Sequence, residues 1–164
     1  MQTFKKTAVV IALLILLVTL GYTSLQQPKA PNALFTTIKG QEISMASLKG
    51  KVVLINFWAT DCKSCVAEMP ALIETYKQYQ NKGLEIIAVA MPYDPPAQVA
   101  MFAEQKGLPF PVMHDGYGNI TQQFGGVNIT PSAYIYNKDG QRIQKTVGTL
   151  NFKKLYALLD QELS

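Results

Sequence analysis

Two seven-residue runs, Val52 to Trp58 (VVLINFW) and Leu84 to Ala90 (LEIIAVA), are apolar almost without a break. Continuous runs of that length predict strands covered on both faces, as in the middle of a sheet. Gly50 precedes the first run and Gly83 the second. Between them a helical pattern opens near Cys62, continues through Glu68 to Tyr79 and ends at Gly83. Shorter elements flank this centre. Leu34 to Ile38 and Gln41 to Ile43 predict a hairpin across Lys39-Gly40, and Met45 to Leu48 a turn of helix. Beyond the second strand come a proline-rich loop, Met91 to Pro96, and a helix from Ala97 to Lys106 stopped by Gly107. An extended piece, Phe110 to Met113, and a small helix around Ile120 to Phe124 follow. Ala133 to Asn137 and Gln141 to Val147 alternate in a strand pattern around Asn137-Lys138-Asp139-Gly140 and predict a second hairpin. Asn151 caps an amphipathic helix reaching about Leu163. Strands and helices alternating in this way predict a three-layer α/β/α sandwich.

The first residues have a different character. Lys5-Lys6 precede an apolar stretch from Thr7 to Tyr22, and no charged residue stands between Lys6 and Lys29. Basic residues ahead of an apolar run keep the N-terminus in the cytoplasm and send the remainder across the membrane. The run reads as an uncleaved single-pass anchor. A cleaved signal peptide is the alternative, although its best site, after Gly21, matches the small-residue rule poorly. No cysteine follows the run, which excludes a lipid-anchored form. The division is therefore 1–25 anchor or signal segment, 26–32 polar, proline-containing linker (QQPKAPN) and 33–164 folded domain.

Composition changes this picture little. The formal charge of +4 invites a nucleic-acid reading. Two of the basic residues lie in the N-terminal segment, which leaves 13 basic against 11 acidic residues and no basic stripe. Nucleic acid is not an expected partner.

The chemistry concentrates at Cys62 and Cys65, the only cysteines, spaced C-x-x-C where the first buried strand gives way to the helix. Thiols at this spacing on a first helical turn can close a small disulfide and reopen it. Unpaired backbone N–H groups and the helix dipole there favour a thiolate on the first cysteine. A loop so short hardly restricts the unfolded chain, so the pair is for use rather than for bracing. Two sulfur ligands alone do not close a zinc coordination sphere.

The residues around this pair resemble the thioredoxin superfamily, and within it the membrane-anchored TlpA/ResA-like thiol–disulfide oxidoreductases. The resemblance is carried by LKGKVVLINFWAT before the cysteines, AEMPAL after them and Thr130-Pro131 ahead of the last hairpin, and it spans the domain from about Leu34. It implies a thioredoxin-like sandwich with an N-terminal hairpin and an added central helix and strand. It also implies a helix kinked at Pro70 and a cis-proline at Pro131 facing the disulfide. Departures fall at Asp61, where the family usually has Trp, at Lys63-Ser64 between the cysteines, and at Asn56, where thioredoxin buries an Asp. They bear on redox potential and partner choice rather than on the chemistry.

Under this resemblance Cys62 is the nucleophile and Cys65 the resolving thiol. Glu68, one helical turn beyond Cys65, is the acid thought to help proton transfer in ResA-like relatives; the plainer reading is a solvated helix residue. Thr130 and Pro131 present backbone to an incoming extended peptide. Trp58, together with Pro92, lines the rim or is plain core. Lys63 favours the Cys62 thiolate and Asp61 opposes it, both screened where exposed. Asn56, a neutral amide, is a structural polar group. No flavin or nicotinamide motif is present, so the expected redox group is the Cys62–Cys65 disulfide itself, with no other cofactor and no metal. The expected partners are disulfide-containing exported proteins, among them apocytochrome c heme-site cysteines, and a membrane thiol electron carrier of the CcdA/DsbD type. The expected place is the bacterial cytoplasmic membrane, with the domain on its outer, periplasmic side. A different class of function also stays open. His114, the only histidine, would join the two cysteines in a copper-binding protein of the same fold. Asn119-Ile120-Thr121 and Asn128-Ile129-Thr130 match the N-glycosylation pattern, a three-residue match common by chance.

Overall fold

The computed structural model describes residues 14–15 and 27–164. The predicted anchor lies almost wholly outside the described residues, and among those described no helix is long and apolar enough to cross a membrane. Among the described residues seven strands form: β1 (Leu34–Thr36), β2 (Glu42–Ser44), β3 (Val52–Trp58), β4 (Leu84–Ala90), β5 (Val112–His114), β6 (Ser132–Tyr136) and β7 (Arg142–Val147). The α-helices of the domain, among the described residues, are α1 (Lys63–Tyr79), α2 (Pro96–Lys106), α3 (Asn119–Gln123) and α4 (Phe152–Glu162).

β3 and β4 keep the limits read from the sequence, and every residue of both is buried. They lie side by side and parallel at the centre of a five-stranded sheet ordered β5-β4-β3-β6-β7. β5 extends it in parallel on the β4 side; on the other side β6 runs antiparallel to β3 and β7 antiparallel to β6. Strict alternation along β3 splits the core in two. Val52, Leu54 and Trp58 face a cluster with Met69, Leu72 and Tyr79 of α1, Val99 and Ala103 of α2, and Leu155 and Leu159 of α4. Val53, Ile55 and Phe57 face the opposite cluster, built from Phe35 and Ile43 of the β1–β2 hairpin, Ile120 of α3, Phe124, and Tyr134 and Tyr136 of β6. The predicted layered sandwich is present. Its second outer layer is made of the hairpin, a 3-10 turn at Met45–Leu48 and the short α3.

Two limits shift. The extended piece predicted over Phe110 to Met113 pairs only from Val112, which sits opposite Ala88. Pro111 has no N–H to give a ladder, so pairing starts after it. Residues 28–32 are not a free linker. Ala30 N–H donates to Gly140 O and Arg142 N–H to Pro28 O, each at 2.8 Å, and Lys29 bridges Gln141. Ala30 also packs against the second core cluster. Pro28 to Ala30 are thus hydrogen-bonded to the last hairpin of the domain.

Candidate functional site

The site stands where β3 ends. A strand covered on both faces delivers its C-terminus to the rim of the sheet, and the chain turns there through Ala59-Thr60-Asp61 into α1. Cys62 occupies the N-cap of α1, with extended backbone (φ −82°, ψ 98°). Its Sγ accepts the N–H of Cys65 at 3.2 Å, using one of the helix's otherwise unpaired donors. Cys62 and Cys65 are joined by a disulfide with Cα atoms 5.2 Å apart. The two sulfurs are not equivalent in access. Cys65 is fully buried within the α1 core cluster, while Cys62 is only partly covered at its edge. The Ser64 hydroxyl, 3.5 Å from Cys62 Sγ, adds a polar neighbour that sequence reading left without a role. Lys63 and Asp61 are both exposed beside the pair, so water and salt damp whatever field they impose on Cys62.

Glu68 does not behave as a solvated helix residue. It is 6% exposed. Its Oε2 accepts the backbone N–H of Leu150 at 3.1 Å, while Oε1 is buried without a protein partner. Burial raises its carboxyl pKa above the ordinary glutamate value, and the Leu150 hydrogen bond offsets part of that rise. A buried carboxyl one helical turn beyond a buried thiol can hold or take a proton close to where one must move. Asn56 projects from β3 onto the same face and is fully buried, with neither amide atom meeting a protein partner.

The Thr130–Pro131 bond is cis. Pro131 is buried and Thr130 half-buried. Pro131 O accepts from Gly148 N–H at 2.8 Å, and Ile129 O from the Ser132 hydroxyl at 2.7 Å, which ties this loop to both strands of the last hairpin. Tyr93, 59% exposed, brings its hydroxyl to 3.4 Å from Thr130 Oγ1. Trp58 does not line the rim. It is fully buried, and its ring packs 5.0 Å from that of Phe102 in α2. As the last residue of β3 it points inward with Val52 and Leu54, so its place is the core. Pro92 is half-buried. His114 closes β5 opposite Ala90 and does not join the cysteines. Among the described residues no three His, Cys, Asp or Glu side chains are grouped so as to hold a metal ion.

Comparison with known proteins matches this arrangement to one family. The model of the AhpC/TSA family matches residues 27–145. A "Thiol-disulfide oxidoreductase ResA" of Bacillus thuringiensis (strain Al Hakam) is 37% identical over 131 residues, covering 80% of this chain and 75% of that protein. This chain belongs to the AhpC/TSA family, among its ResA-type members. A second ResA thiol-disulfide oxidoreductase, of Bacillus cereus, is 35% identical over 163 residues and covers 93% of both chains. The solution structure of a putative thioredoxin from Neisseria meningitidis superposes with a TM-score of 0.77 at 38% identity, covering 84% of this chain and 90% of that one. The ResA-type chain described here is accordingly a thiol–disulfide oxidoreductase of thioredoxin-like fold.

Proposed function

We propose that this oxidoreductase works outside the cytoplasm as a reductase of disulfides in exported proteins, with Cys62 and Cys65 as its redox pair. The observation that carries the assignment is the unequal exposure of two cysteines joined at a helix N-terminus. Only Cys62 can meet a macromolecular disulfide, and only Cys65 is placed to finish the exchange from behind it. In the reduced chain the Cys62 thiolate attacks one sulfur of a substrate disulfide. The Cys62–substrate bond forms as the substrate bond breaks, and the other substrate sulfur leaves as a thiolate. Cys65 then attacks Cys62 Sγ and gives its proton to the Glu68 carboxylate. The second substrate sulfur leaves reduced and the Cys62–Cys65 disulfide closes. A dithiol carrier of the CcdA/DsbD type in the membrane returns the two electrons, so no cofactor beyond the disulfide is needed.

The N-terminal Lys5-Lys6 and the apolar run after them support tethering to the bacterial cytoplasmic membrane, with the domain on the far side. Cysteine pairs of apocytochrome c heme sites are one substrate of the right chemistry. The Thr130 backbone and the Tyr93 ring form the edge along which an extended segment would lie. Two short helices occupy the stretch between β4 and Pro131, where DsbA-like oxidants carry a large helical insertion; this favours reduction.

Titration of the full chain against defined thiol buffers, read by alkylation, tests the reading. A two-electron transition near the thioredoxin end of the known range, about −270 mV, supports a reductase, whereas one near about −120 mV makes the chain an oxidant. In parallel, Cys65→Ser accumulates mixed disulfides through Cys62 and Cys62→Ser does not. Equal trapping by both variants would remove the assignment of roles.

A further inference from the structure

Asp94 is buried, 3% exposed, in the loop that follows β4, and the exchange chemistry described above makes no use of it. Its carboxylate grips Thr60, two residues before Cys62. Oδ2 accepts the Thr60 N–H at 2.7 Å and Oδ1 the Thr60 hydroxyl at 2.5 Å. The grip completes a closed circuit between two loops. Met91 N–H donates to Trp58 O at 2.9 Å, and Asp94 N–H donates to Met91 O at 3.0 Å. The backbone on either side of Ala59 is thus fastened to the same short segment. Cys62 N–H in turn donates to Ala59 O at 3.2 Å, which hangs the cysteine from the fastened turn.

We propose that Asp94 is a positioning residue for the redox pair: by clasping Thr60 it holds Cys62 at the helix N-cap, where the reduced sulfur receives the Cys65 N–H. The proposal rests on the reading of Cys62 as the attacking thiol. A charge-assisted pair of hydrogen bonds to a buried carboxylate fixes a loop far better than turn propensity does. A thiolate held on an N-cap gains from the helix's free N–H groups, and one on a loosened loop loses part of that gain. The clasp therefore favours the thiolate. Simple charge proximity acts in the opposite sense, because a nearby carboxylate disfavours a second anion. The two accounts differ in sign and can be told apart.

The test is the rate of Cys62 alkylation in the reduced full chain across pH, with the equilibrium potential of the pair, for wild type, Asp94→Ala, Asp94→Asn and Thr60→Val. Positioning predicts that Asp94→Ala slows alkylation at neutral pH by about threefold and makes the pair more reducing. Asp94→Asn keeps an oxygen for the Thr60 N–H but replaces the second acceptor with an NH2, to which the Thr60 hydroxyl can only turn as acceptor, so its alkylation rate and potential fall between those of wild type and Asp94→Ala. Thr60→Val removes the hydroxyl link alone, folds without a buried charge change, and shifts both readouts in the direction of Asp94→Ala but less. Faster alkylation in both Asp94 variants overturns positioning in favour of charge. Wild-type rates and potential in every folded variant, with only thermal stability lowered, overturn it in favour of a brace. A wild-type chain with no two-electron transition would overturn the oxidoreductase reading first, and the clasp with it.

Discussion

Glu68 holds a carboxyl group in surroundings that disfavour its charge, and this has two measurable consequences. Its folded-state pKa is raised, so between the ordinary glutamate value and the raised one the native chain binds more protons than the unfolded chain. Native stability therefore falls as pH climbs through that window and is unaffected by this group below it. Glu68→Gln removes the ionisation, so the variant should unfold at a higher temperature than wild type at neutral pH, with the difference vanishing in acid. Thermal melts from acid to neutral pH check this; a variant less stable at every pH would contradict it. Activity should move the other way. Loss of a proton acceptor for Cys65 should slow release of the mixed disulfide by roughly 10²-fold and abolish the rise of that step with pH. The spacing of Cys62, Cys65 and Glu68 was legible in the sequence because one helical turn puts the last two near a common face. That the face is dry, and that Leu150 N–H lies against it, depends on how α4 and its leading loop dock. No local pattern records that. Trp58 stays open between rim and core in the sequence for the same reason: position at a strand's end does not say which way its ring turns.

At the scale of elements, the Asn151 cap and the limits of β3 and β4 are the most legible, because they depend on neighbours in sequence. Asn151 caps α4, its side chain accepting the Lys154 N–H at 3.1 Å. The helix then docks through Leu155 and Leu159, both fully buried, and through Asp160, which accepts the Tyr79 hydroxyl at 2.8 Å. Burial and that bond to Asp160 push the Tyr79 pKa up to about 12, so the hydroxyl remains a donor through the physiological range. Asn151→Ala should cost about 1 kcal/mol, and Asn151→Asp should recover most of it. Urea unfolding at neutral pH measures both, and equal midpoints for Asn151→Ala and wild type would discount the cap. The clasp at Asp94 shows the limit of this kind of reading. Met91 to Pro96 is proline-rich and reads as loop, correctly. However, a buried carboxylate inside it, paired with Thr60 thirty-four residues earlier, becomes visible only when β3 and β4 lie side by side.

The whole molecule closes on itself at the end of the sheet opposite the disulfide, and its boundary can be tested there. Gln26 to Asn32 is polar and holds two prolines, a composition that describes a tether equally well as a strap. The difference lies in what it meets. Pro28 and Ala30 bond to Arg142 and Gly140, more than a hundred residues away in sequence. Gly50 N–H reaches Lys138 O in the same turn, so the strap lies near the start of β3. The disulfide follows the end of β3, and a strand of seven residues separates the two by roughly 20 Å. A chain beginning at Gln27 should match the full chain in stability. One beginning at Ala33 frees the Gly140 carbonyl and the Arg142 N–H and uncovers apolar surface under Ala30. It should lose about 1 to 3 kcal/mol. Because the cut is remote from Cys62, the reduction potential of the pair should be the same in both truncations. Stability lost without any change in potential would mark residues 28–32 as part of the fold and not of the chemistry. Equal stability would return them to the tether. A shifted potential would mean that the two ends of the sheet are coupled, which nothing in the hydrogen bonding between them requires.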